Sequence, residues 1–161
     1  MKIRQATIED LEKLCKVRNN EKLFQEYLED CDGERAYFLV AEIEEKIVGF
    51  GLVYLDITKK GKKKSHMPKL SDLYVAEEYR RNGIATALVK AREALAKQYG
   101  HSHIYVSIDP SESAEMVCLA KKLAYEPLQP EPYLVSALYY DHQGQPYEKQ
   151  YFRLDFKKNL L

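Results

Sequence analysis

Leu73-Tyr74-Val75-Ala76-Glu77-Glu78-Tyr79-Arg80-Arg81-Asn82-Gly83-Ile84-Ala85-Thr86 is the stretch on which the fold turns. Aromatic and aliphatic residues end a strand, a short polar loop carries two arginines and a glycine, and a helix opens on small residues. The first turn of a helix has backbone N–H groups with no intrahelical acceptor and lies at the positive end of the helix dipole. An anion, a phosphate above all, is favoured there. Gly83 and Ala85 keep bulk away from that backbone, and Arg80 or Arg81 adds charge-assisted hydrogen bonds from the rim. No G-x-x-x-x-G-K-[ST] run and no G-x-G-x-x-G after a strand occurs, which disfavours a nucleoside-triphosphate or dinucleotide enzyme.

Working outward, Ile84, Leu88, Ala91 and Leu95 trace one face of a helix that Gly100 closes. Upstream, Lys69 to Val75 reads as a strand, preceded by two strand-like runs, Ala36 to Ile43 and Lys46 to Ile57, around a Glu44-Glu45 turn. Lys2 to Ala6 is a short first strand. Thr7 with Asp10 is a capping-box start for a helix through Leu11, Leu14, Cys15 and Arg18, and Glu21 to Asp30 is a second helix. Downstream lie a strand from Ile104 to Asp109, a helix from Ser113 to about Leu123, and a hairpin of Tyr133 to Tyr140 and Tyr147 to Phe156. The order β-α-α-β-β-β-α-β-α-β-β predicts an α/β fold with a mixed, mostly antiparallel sheet flanked by helices.

At 161 residues the chain has the length of one domain, and no repeat or Pro/Ser-rich linker divides 1–161. Twenty-five basic against 25 acidic residues leave no net charge, so nucleic acid is not an expected partner. The longest apolar run, Ile47 to Leu55, is too short to span a membrane. Cys15, Cys31 and Cys118 are odd in number and widely spaced, which fits a reducing, cytoplasmic compartment and neither a disulfide framework nor a zinc site. Cys118, with no neighbouring histidine, reads as a core thiol. His101 and His103 share a strand face without a third ligand, so no metal is expected.

Arg80-Arg81-Asn82-Gly83-Ile84-Ala85 fits the R/Q-x-x-G-x-G/A signature of the GNAT superfamily of N-acetyltransferases, and the flanking elements resemble that family over nearly the whole chain. The resemblance implies acetyl-CoA as cosubstrate. It places the pyrophosphate on the backbone N–H groups of Arg81, Asn82, Gly83, Ile84 and Ala85, with Arg80 and Thr86 flanking them. It also implies that the main chain of Leu73, Tyr74 and Val75 pairs with the pantetheine arm where this strand splays from Tyr105 to Asp109. A primary amine, on a small molecule or a peptide, would attack the thioester carbonyl directly. The alternative on the same fold is a non-catalytic acyl-CoA-binding or sensing domain.

Period-two alternation puts Asp72 on one strand face with Tyr74, opposite Ser71, Leu73 and Val75. The strand looks like its counterpart in spermidine/spermine-type and diamine acetyltransferases, where an acidic residue sits near the acceptor amine. An alkylamine is mostly protonated at neutral pH and must lose that proton to attack, which makes Asp72 the candidate catalytic residue. The chain departs from the family pattern on the helix after Asp109. Ser113 stands at the position of an asparagine and Ala120 at that of the tyrosine that protonates the departing thiolate. Ser113 remains a candidate hydrogen-bond partner of the cofactor. Leu23 to Asp32 and the last hairpin are expected to build the acceptor pocket, a homodimer through that hairpin stays open, and Lys59 to Lys64 reads as a solvated turn.

Overall fold

The computed structural model describes residues 1–56 and 67–161. Eight strands and four helices follow one another in the order β1 (Lys2–Gln5), α1 (Leu11–Val17), α2 (Glu21–Asp30), β2 (Ala36–Ile43), β3 (Lys46–Tyr54), β4 (Lys69–Val75), α3 (Ile84–Tyr99), β5 (His103–Ile108), α4 (Ala114–Lys122), β6 (Glu126–Pro127), β7 (Tyr133–Tyr140) and β8 (Pro146–Asn159). This is the α/β class that the sequence predicts. The sheet runs β1-β2-β3-β4-β5-β8-β6, with β7 on the outer half of β8, and among the described pairings only β4–β5 is parallel.

The two layers are legible in which side chains are buried. Leu14 of α1 and Phe24 of α2 pack with Phe38, Val40, Phe50 and Leu52 on one face of the sheet. On the other face, Ile84, Leu88 and Val89 of α3 cover Leu39, Val48, Val75 and Leu70, and Ala120 and Tyr125 join them from α4 and the turn after it. The Thr7 capping box forms, with the Thr7 N–H donating to Asp10 Oδ2 at 2.8 Å. The same carboxylate also holds Arg4 of β1, at 2.8 Å to each oxygen.

The differences from the sequence reading have physical causes. The second hairpin strand ends at Tyr54, and its expected last residue, Ile57, lies outside the described residues, as does the Lys59 to Lys64 cluster. β8 is longer than expected because it serves two partners in succession, β7 from Pro146 to Arg153 and β5 from Leu154 to Asn159. Its inner half also pairs with β6, a two-residue strand too short for any periodic signal. Cys118 is exposed rather than a core thiol, because α4 turns Ala120 inward and Cys118 outward. His101 is a structural residue with Nε2 2.7 Å from the Leu55 carbonyl, and no metal-ligand cluster occurs among the described residues.

The alternation predicted for β4 breaks at one residue. Leu52 pairs with Ser71 and Phe50 with Tyr74, so Gly51 alone faces Asp72 and Leu73. This is a β-bulge, with Asp72 at φ +37°. Asp72 and Tyr74 stay on the α1–α2 face. Leu73 lies opposite them as expected, but Leu70 joins it on the α3 face, three residues apart where strict alternation allows only two or four.

Candidate functional site

β4 and β5 are paired only at Lys69–Tyr105 and Leu70–Val106. Beyond that point β4 stays with β3 as far as Val75, and β5 stays with β8 as far as Ile108. The two strands part, and the β5-facing main chain of β4 beyond the bulge has no strand partner there among the described residues. A cleft of about 220 Å³ opens at this fork. Leu70 to Leu73, Val106 to Asp109, Val89 and Arg92 of α3, and Ser113, Met116, Ala120 and Tyr125 line it. Two backbone carbonyls of β4 are already engaged, Val75 by Arg80 Nε at 2.9 Å and Ser71 by Arg92 Nη1 at 3.1 Å.

The N-terminus of α3 lies next to the end of β4. Gly83 is the residue before the first helical turn and sits at φ +77°, a conformation in which L side chains are strained. No side chain caps this turn, and nothing lies within 4 Å of where a Cβ at Gly83 would stand. No side-chain acceptor therefore takes up the first N–H groups of this turn. Asn82 turns its amide back onto the carbonyls of Tyr79 and Arg80, at 3.1 and 3.2 Å, and so shapes the loop from within. Arg80 lies over the Tyr74 ring at 5.4 Å, and Arg81 is exposed at φ +65°. Gly83, Ile84, Ala85 and Thr86 thus open the helix beside the strand that carries Leu73, Tyr74 and Val75. Ser113 begins α4 on the far wall of the cleft.

Asp72 sits at the inner end of the cleft, engaged from the α1–α2 layer. Arg18 spans both of its oxygens, at 3.2 and 2.5 Å, and the Tyr27 hydroxyl donates to Oδ2 at 2.6 Å. Burial and then the Asp72 charge push the Tyr27 phenol well above its ordinary range, so it remains a donor. Arg18 in turn lies against the rings of Phe50 and Tyr74, at 5.0 and 5.5 Å. On the opposite side, Asp155 of β8 accepts from Ser107 at 2.5 Å, Tyr133 at 2.5 Å, Gln129 at 3.1 Å and Arg153 at 2.9 Å. Burial alone would raise its pKa, but these donors outweigh that and hold the carboxyl well below the usual range. Asp155 thereby ties the β7–β8 hairpin to the rim of the fork.

Three functional candidates were missing from the sequence reading. Arg18 and Tyr27 leave no local signal, since their partner Asp72 is 54 and 45 residues away. Arg92 does leave one. It stands one turn after Leu88 on the apolar stripe of α3, and Gly49 and Gly51 alternate on the strand beneath it.

A comparison with family models matches residues 5–125 to the acetyltransferase (GNAT) family. An N-alpha-acetyltransferase of Sulfurisphaera tokodaii is 30% identical over 138 residues, covering 78% of this chain and 80% of that protein. Among solved structures, yncA from Salmonella typhimurium, determined with its cofactor acetyl-CoA, superposes with a TM-score of 0.73 at 15% identity, covering 100% of this chain and 94% of the other. A ribosomal-protein-alanine N-acetyltransferase from Brucella melitensis gives a TM-score of 0.72 at 21% identity, covering 99% of each chain. With the forked sheet, the uncapped α3 turn and the family model over three quarters of its length, this chain belongs to the acetyltransferase (GNAT) family.

Proposed function

We propose that the chain transfers the acetyl group of acetyl-CoA to a primary amine by direct attack. The observation that carries this reading is the course of β4, whose main chain leaves β5 at the cleft beside Asp72 and leads directly into the loop and the uncapped α3 turn at Gly83. These features fit the cosubstrate part by part. Free N–H donors and a dipole suit the pyrophosphate, an unpaired strand edge suits the amide-bearing arm, and Leu70, Val89, Val106 and Met116 give the arm an apolar wall. Ser113 offers a hydroxyl from the α4 side.

The thioester supplies an activated acetyl carbon, and the chain supplies position and charge. Arg81 to Thr86 bind the phosphate end and Leu73 to Val75 align the arm. Asp72, held by Arg18 and Tyr27, presents carboxylate lone pairs to the incoming amine from the α1–α2 side. An ammonium there loses its proton to that carboxylate or through water before attack. The name of the S. tokodaii relative makes the α-amine of a polypeptide the first acceptor to try, with polyamines and amino acids alongside it. We place the protein in the cytoplasm, a reading supported by the odd number and wide spacing of its cysteines.

The test is release of free thiol from acetyl-CoA in the presence of such a panel, with the acetylated amine identified by mass spectrometry. One acceptor should be turned over well above the hydrolytic background. Saturable binding of CoA with no acceptor turned over would favour the non-catalytic alternative, for which Ala120 and Ser113 in place of the family's tyrosine and asparagine are the supporting observation.

A further inference from the structure

Arg92 is the largest fully buried side chain among the described residues, with 1% of its surface exposed. Its Nε donates to the Leu88 carbonyl at 3.1 Å, and its Nη1 donates to Leu52 and Ser71 at 2.8 and 3.1 Å. Leu52 and Ser71 form the last regular pair before the β4 bulge, so one guanidinium group fixes both strands at the fork. No carboxylate is in contact with the group: Glu93 is paired with Lys158 at 2.8 Å and Asp72 with Arg18, and both act on Arg92 only through space. Burial pulls the Arg92 pKa down to about 10, which leaves the group cationic at neutral pH.

A buried cation with no carboxylate in contact is costly, and an apolar side chain of similar size is commonly the more stable solution. Room has nonetheless been made for it. A Cβ at Gly51 would stand 2.9 Å from Arg92 Cζ, so only glycine admits the guanidinium under the strand. The same side chain lines the cleft, together with Ser71, Ala120 and Tyr125. Position 120, where the family resemblance places a proton-donating tyrosine, holds a methyl group here.

We propose that Arg92 is the electrostatic partner of the departing sulfur, so that the thiolate leaves against a fixed positive charge rather than by taking a proton from a side chain. The inference rests on the acetyl-transfer reading. As the amine nitrogen bonds to the acetyl carbon, the carbonyl electron pair moves to oxygen. When the carbonyl re-forms, the carbon–sulfur bond breaks and its electron pair stays on sulfur, while the proton on nitrogen passes to Asp72 or to water. A buried cation facing that sulfur lowers the barrier because charge develops next to it in a site of low dielectric. The other charged or titratable groups around Arg92 are Asp72 of β4, Asp109 after β5, Glu93 of α3, Tyr125 after α4, and Lys158 of β8. Burial and Glu93 hold the Tyr125 phenol above its ordinary range, so it stays neutral.

The experiment is an ultraviolet titration of the thiol of bound CoA, reading the thiolate band, in the wild type and in Arg92→Lys and Arg92→Met. An opposite charge at close range favours the ionised form, so the wild-type thiol should titrate about one to three pH units below that of free CoA. Arg92→Lys should keep most of that shift and Arg92→Met should lose it. Turnover of Arg92→Met should fall by roughly 10²-fold, as for loss of a single oxyanion donor, with little change in KM for acetyl-CoA. The selenoester analogue, whose leaving group is more acidic, should restore much of that loss. A wild-type bound thiol that titrates as in solution overturns the proposal, and this comparison needs no variant to fold. An equal loss of turnover with thioester and selenoester also overturns it, by reducing Arg92 to a support for the bulge. Failure of the wild type to bind CoA at all would instead remove the acetyl-transfer reading beneath it, and the proposal with it.

Discussion

Asp72 adopts a left-handed backbone because two β4 residues must pass one glycine of β3, and aspartate tolerates that region better than most side chains. Asparagine tolerates it equally and keeps the shape while removing the charge. Asp72→Asn should therefore fold and bind CoA nearly as the wild type does, while transfer at neutral pH falls by about 10²-fold or more. Raising the pH should recover part of the rate, because solvent then supplies free amine. Equal rates for the two proteins from pH 6 to 9 would make Asp72 a purely structural residue. The sequence shows an acidic residue beside a splayed strand but not its ion pair. Arg18 and Tyr27 reach Asp72 only after two helices have folded across the sheet, and period-two alternation carries no trace of the bulge that re-aims the strand.

At the scale of elements, the strand–loop–helix unit from β4 to α3 is the part most fully written in the sequence. A strand pattern, a glycine at the turn and a 3.6-residue apolar stripe each demand local conformations that agree with one another. Gly83→Glu should abolish CoA binding, since the new side chain adds strain at φ +77° and puts a carboxylate where the phosphates would lie. Calorimetry on the folded variant reads this directly, and unchanged affinity would remove the phosphate assignment. The β7–β8 hairpin is less legible, because its strands alternate visibly but its anchor is Asp155, a single carboxylate with four donors from distant segments. Its pKa is depressed in the folded state, so its contribution to stability is full above the unfolded value near ~3.9 and is lost as pH falls below it. The wild type should accordingly lose melting temperature on acidification from pH 6 to 3 more steeply than Asp155→Asn, which should melt lower at pH 7. Parallel melting curves for the two proteins across that range would show that Asp155 does not anchor the hairpin.

Over the whole molecule, one face of the sheet is closed by α1 and α2 and the other by α3 and α4, and the cleft runs between strands rather than between layers. A cosubstrate lying in that fork replaces the missing β4–β5 ladder, so binding should be coupled to global stability. With free CoA at ~100 times its Kd, linkage adds about 2.7 kcal/mol, or roughly 5–10 °C in Tm for a chain of this size. An unmoved Tm at saturating CoA would argue that the fork is not where CoA binds. The chemistry itself is tested most directly by the mass of a short peptide with a free α-amine after incubation with acetyl-CoA and the enzyme. The account predicts one added acetyl group on that amine, formed in step with free thiol and lost in Gly83→Glu. A peptide of unchanged mass, together with unchanged polyamines and amino acids under saturating acetyl-CoA, would contradict it.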